Sequence, residues 1–85
     1  MMKVFLSSIA KNDIKLLMRV FNAEREKKGI DFLEEVKKSI NEIILCAEDY
    51  QAKELTMKTM ENFPVNIHYI FEDENNLLIT AVFKA

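Results

Sequence analysis

Apolar and polar residues alternate with a two-residue period from Val65 to Glu72. Val65, Ile67, Tyr69 and Phe71 point one way, and Asn66, His68 and Glu72 the other, as in a strand with one buried face. Ile70 breaks the polar set. The return arm puts Leu77, Ile79, Ala81 and Phe83 on one face and Leu78, Thr80 and Val82 on the other. A three-residue loop, Asp73-Glu74-Asn75, joins the arms, with Asn75 suited to a left-handed backbone. It pairs Phe71 with Leu77, Tyr69 with Ile79 and Ile67 with Ala81. That register gathers the core residues on one face. Ile70, Leu78 and Val82 are left on the opposite face, which a thin two-layer domain cannot cover by itself.

Upstream the period changes. Lys3 to Leu6 reads as a short strand leading to Ser7 and Ser8, residues suited to a helix N-cap. A first helix runs from about Ser8 to Lys28 on the apolar set Ile14, Leu17, Met18 and Phe21. Gly29 is expected to end it in a left-handed conformation. Asp31 then leads a second helix, whose stripe of Phe32, Leu33, Val36, Ile40, Ile43 and Ile44 continues to about Ala47. Glu54 to Met60 is a further strand, and Asn62-Phe63-Pro64 turns the chain into the hairpin. The expected fold is α+β in the order β-α-α-β-β-β, an N-terminal helical hairpin on one face of a small antiparallel sheet. Phe21, Val36, Ile40, Ile67, Tyr69, Phe71, Ile79 and Ala81 are its expected core.

The 85 residues make a single domain spanning 1–85. With 49% hydrophobic and 31% charged residues, one Gly and one Pro, the composition is that of a compact soluble protein. No apolar stretch reaches the roughly 18 to 20 residues of a membrane span, and Met1 to Phe5 runs straight into Ser7-Ser8 without a signal-peptide pattern. The cytoplasm is the expected compartment. A net charge of −2 argues against nucleic-acid binding through a uniformly basic surface. Lys11, Lys15 and Arg19 form one helical stripe, read as a solvated face. Cys46, the only cysteine, can form no internal disulfide and is read as a packing residue. Met18, Met57 and Met60 are read as core filler. The sequence contains no phosphate loop, metal-spaced His/Cys cluster or Ser/His/Asp arrangement, so neither cofactor nor metal is expected.

Several segments, in order, resemble the RelE/ParE family of type II toxins, also called plasmid stabilisation proteins. Val4-Phe5-Leu6-Ser7, then Ala10 and Asp13-Ile14, is similar to the family's first strand and helix start. Gly29-Ile30-Asp31-Phe32-Leu33, followed by Val36 and Ile40, is similar to its Gly-x-x-Phe-hydrophobic second helix. Phe63-Pro64-Val65-Asn66-Ile67-His68-Tyr69 is similar to its Phe-Pro-Tyr-x-Ile-x-Tyr, and Ala81-Val82-Phe83 stands where it has Ala-Val-hydrophobic-His. The resemblance implies a toxin held inactive by a cognate antitoxin. RelE-like members cleave messenger RNA on the ribosome, whereas ParE-like members poison DNA gyrase.

Metal-free RNA cleavage needs a base, a cation and an acid around one phosphate. This chain departs from the nuclease pattern. It has Thr56 and Met57 where the family has Arg, Glu61 and Asn62 before Phe63, and Lys84 in place of the terminal His. The ParE-like, non-enzymatic branch is therefore favoured. The alternatives are a RelE-like nuclease with a reduced site of Lys58, His68 and Lys84, and an inactive toxin-fold interaction protein. His68, the only histidine, is read as solvent- or partner-facing, with an acid–base role as the alternative. Tyr69 packs in the core with its hydroxyl at the rim. Ile70, Leu78 and Val82 are the expected contact surface for an antitoxin segment or for a second copy in a homodimer.

Overall fold

The computed structural model describes residues 2–45 and 55–85. The elements follow the expected order: β1 (Lys3–Leu6), α1 (Ser8–Glu24), α2 (Lys28–Leu45), β2 (Thr56–Thr59), β3 (Val65–Asp73) and β4 (Asn76–Lys84). Expectations for Met1, Cys46, Ala47 and Glu54 lie outside the described residues.

Both helices pack on one face of a four-stranded sheet ordered β1-β4-β3-β2. The sheet is mixed rather than antiparallel, because β1 lies parallel to β4, with Val4 opposite Leu77 and Leu6 opposite Ile79. A tight turn would force antiparallel pairing. None joins these two strands, so the direction of β1 is set by how it feeds α1.

Ser7 makes that junction. Its hydroxyl accepts from the Ala10 N–H at 3.0 Å, capping α1, and donates to the Thr80 carbonyl at 2.7 Å. The Ser7 N–H donates to the Ile79 carbonyl at 3.0 Å. One residue thus starts a helix and fixes it to the last strand.

The connection between the helices differs from expectation. α1 stops at Glu24, and the left-handed residue is Lys27, with φ 68°, rather than Gly29. Gly29 lies inside α2 for a steric reason: a Cβ there would sit 2.6 Å from the Met18 carbonyl oxygen and 2.7 Å from Asn22 Oδ1. Its N–H donates to that Asn22 oxygen at 2.8 Å. Glycine is needed for close approach of the two helices, not for a turn.

The core is centred on Phe21, Phe32 and Phe63, whose ring centroids lie 5.0 to 5.6 Å apart in tilted and edge-on arrangements, the geometry aromatic rings prefer. Ala10, Ile14, Leu17, Val36, Ile43, Met60, Val65, Ile67, Phe71, Leu77, Ile79 and Val82 complete it. Ile40 and Tyr69 are half-buried and pack against it.

Two shifts change the hairpin. The turn is the pair Glu74-Asn75, and Glu72 is left unpaired between the Phe71–Leu77 and Asp73–Asn76 pairs. The Asp73 carboxylate accepts from the Asn75 N–H at 2.7 Å and from the Asn76 side chain, an Asx turn that makes a longer loop unnecessary. Farther on, Tyr69 pairs with Ile79 but His68 pairs with Ala81 and Ile67 with Val82, so Thr80 is an extra residue. This β-bulge reverses which side chains face the helices. Val82, expected on the open face, is in the core at 1% exposure, whereas Ala81 and Phe83 turn to the open face.

Candidate protein-interaction site

The sheet face away from the helices is built by register. Phe5 stands opposite Leu78, Leu78 opposite Ile70, Ala81 opposite His68 and His68 opposite Met57. The surface is apolar across all four strands. Ile70 and Leu78 are half-buried, while Phe5, Met57 and Phe83 are 47%, 53% and 39% exposed. Polar groups stand at its margin: Thr59 Oγ1 donates to Asn66 Oδ1 at 2.8 Å.

Of the three residues expected to form a contact surface, Ile70 and Leu78 lie here and Val82 does not. Phe5, Phe83 and Met57 join them. Phe5 lay in a strand too short to show a period. Strict alternation places Phe83 on the core face, and the bulge turns it to the open one, while Met57 is exposed beside His68 rather than filling the core.

The bulge is held by side chains. Thr80 Oγ1 donates to the His68 carbonyl at 3.2 Å, Ser7 takes the Thr80 carbonyl, and Asp13 Oδ2 accepts the Val82 N–H at 3.1 Å. With those bonds in place Val82 seals the core and Phe83 packs edge-on to His68 at 4.5 Å.

His68, Lys58 and Lys84 do not converge. His68 is on the open face, half-buried against Phe83. Lys58 stands one register position away and so points to the helix side, where it meets Glu42 at 3.3 Å. Lys84 is also on the helix side, with its ammonium 3.9 Å from Glu24 and 5.4 Å from the centre of the Phe21 ring. Glu24 pairs as well with Lys28 at 2.7 Å, and this hydrogen bond holds its carboxyl below the usual range. Each lysine therefore has a carboxylate partner, and neither shares a face with the imidazole.

Among the described residues, no group of three or more His, Cys, Asp or Glu side chains could hold a metal ion. No described helix is long and apolar enough to cross a membrane.

No protein-family model and no curated protein matches the chain. Among solved structures it is similar to a chain of the "Chromosomal ParDE TA system from P. aeruginosa". The TM-score is 0.83 at 11% sequence identity, and the match covers 100% of this chain and 97% of the other. At that identity the likeness concerns the path of the backbone. The chain has the fold of a ParDE-system protein, the β-α-α-β-β-β arrangement with two helices on one face of a mixed sheet.

Proposed function

We propose that the chain is the toxin of a type II toxin–antitoxin module, acting by protein–protein contact and neutralised by a cognate antitoxin. DNA gyrase is the target that the ParE-like branch implies. The likeness to a ParDE-system chain over its whole length carries this reading.

The separation of His68 from Lys58 and Lys84 supports contact over catalysis. A base, a cation and an acid must meet at one phosphate to cleave RNA, and here the imidazole and the two ammonium groups lie on opposite sides of the sheet. The open face supplies a surface for neutralisation. Full burial of such a side chain is worth about 1.5 to 3 kcal/mol, and covering Phe5, Ile70 and Leu78, each already partly buried, recovers a fraction of that for each.

The test is induction of the chain in a bacterial host, with and without the product of the neighbouring gene. Growth arrest relieved by that product, with broken or relaxed DNA and intact messages, is the expected result. Message cleavage on translating ribosomes that disappears in the His68→Ala, Lys84→Ala double variant would replace this reading with the nuclease one.

A further inference from the structure

A cavity of about 390 Å³ opens where the first turns of α2 meet the loop between β2 and β3, and it takes no residue from the open face of the sheet. We propose that it binds an alkylguanidinium cation through Glu35 and Glu34, as a free molecule or as an arginine side chain of another polypeptide.

Five charged side chains line the cavity, and both cations among them are already engaged. Arg25 Nη2 lies 3.0 Å from Asp31 Oδ2, and Lys28 Nζ lies 2.7 Å from Glu24. Two carboxylates are left over. Glu34 makes no ion pair among the described residues. Glu35 Oε1 accepts from Asn62 Nδ2 at 2.8 Å, but its Oε2 is shut off from solvent and meets no donor among the described residues. Lys38, whose charge Glu35 also feels, is bonded to Glu61 at 3.3 Å instead. A buried carboxylate oxygen without a donor costs free energy. Asp31 stands three and four positions before Glu34 and Glu35, spacings at which like charges repel on a helix. The dipole of α2 accounts for Asp31 in its first turn but not for two glutamates in the second. A ligand that brings both donors and positive charge removes both costs.

The arrangement of the acids selects the cation. Among the described residues no three acidic groups converge as the ligands of a metal ion do, which rules against a bare divalent cation. An ammonium is a compact, strongly hydrated point charge. A guanidinium spreads five N–H donors over a plane, so one edge can meet Glu35 while another reaches Glu34. The last torsion of a glutamate side chain is broad, so Glu35 can turn Oε2 toward the cavity while Oε1 stays with Asn62. Phe63 in the cavity wall gives the alkyl stem an apolar contact.

Toxicity plays no part in the test. The full chain is titrated at low salt with butylguanidinium and with butylammonium, which differ only in the head group, while its amide resonances are followed. Butylguanidinium should give saturable shifts at Glu35, Asn62 and Phe63 and bind about tenfold tighter than butylammonium. Glu35→Gln, which keeps the shape of the side chain, should weaken it about tenfold or more. Glu34→Gln, at an exposed position, should weaken it less, and Arg25→Ala, which removes a competing cation, should not weaken it at all. A short peptide of alanines around one arginine identifies the source: binding tighter than that of butylguanidinium assigns the site to an arginine side chain, and weaker binding assigns it to a free cation. Absence of saturable shifts, equal binding of the two head groups, displacement by equimolar magnesium chloride, or binding indifferent to both Glu35→Gln and Glu34→Gln would overturn the proposal.

Discussion

The two faces of the sheet are made by the same strands and carry similar side chains, yet only one is sealed. On the helix side, Val65, Ile67, Leu77, Ile79 and Val82 are all at 1% exposure or less, while on the other Phe5 and Met57 are about half exposed. Apolar content alone does not explain the difference, because the open face, though it carries Asn66 and His68, also holds Phe5, Ile70, Leu78 and Phe83. What distinguishes them is the covering layer, set by the crossing of α1 and α2, and the single extra residue Thr80, which decides what β4 presents to each side.

The largest effect should come from placing a charge on each face in turn. Val82→Asp puts an unpaired carboxylate in the core and should cost about 4 kcal/mol or more, read as loss of cooperative unfolding. Leu78→Asp, one layer outward, should leave the melting temperature nearly unchanged while weakening capture of the neighbouring-gene product. Equal destabilisation by the two would abolish the distinction. Phe32→Ala should cost about 3 to 5 kcal/mol in urea denaturation, because it empties the place where three aromatic rings meet. Gly29→Ala should destabilise by about 1 to 3 kcal/mol through the clash with Met18 and Asn22, against a gain in helix propensity of about 1 kcal/mol. A rise in the denaturation midpoint would mean that α1 and α2 separate more easily than their packing implies.

The smallest effect concerns the exposed hairpin tip. The N–H of Asn75 and the side chain of Asn76 hold the Asp73 carboxyl below its ordinary value of 3.8. A lowered folded-state pKa means that the contribution is complete above the ordinary value and fades as pH falls through the lowered one. Asp73→Asn should therefore lower the melting temperature slightly at neutral pH and leave it unchanged in strong acid, which flattens the acid limb of a plot of melting temperature against pH.

The pairing of Phe71 with Leu77 and of Tyr69 with Ile79 is legible in the sequence because the core face alternates there without a break, although Ile70 and Leu78 interrupt the polar face. Beyond that point the register is set by Ser7 and Asp13, which bond to Thr80 and Val82 from the far end of the chain, and no local pattern carries that information. The apolar stripes of both helices were legible for the same reason as the first half of the hairpin. Gly29 reads in the sequence as a helix terminator, since close approach of two helices leaves no local mark there. In the sequence Ile70, Leu78 and Val82 point to an open face, and the bulge moves Val82 off it into the core. The aromatic members of that face, Phe5 and Phe83, became visible only with the order of the strands.

That order places the first strand beside the last. Ser7 is 73 positions from the carbonyl it holds and Asp13 is 69 from its N–H, so the start of α1 is stitched to residues that leave the ribosome almost a full chain length later. Until β4 arrives, β1 has no neighbour, α1 lacks the bonds that orient it, and the helical hairpin has only part of a sheet to rest on. The contacts that β4 makes with β1 and α1 therefore form only once it has been synthesised, and until then the apolar surfaces it covers are open to any chaperone or partner already present.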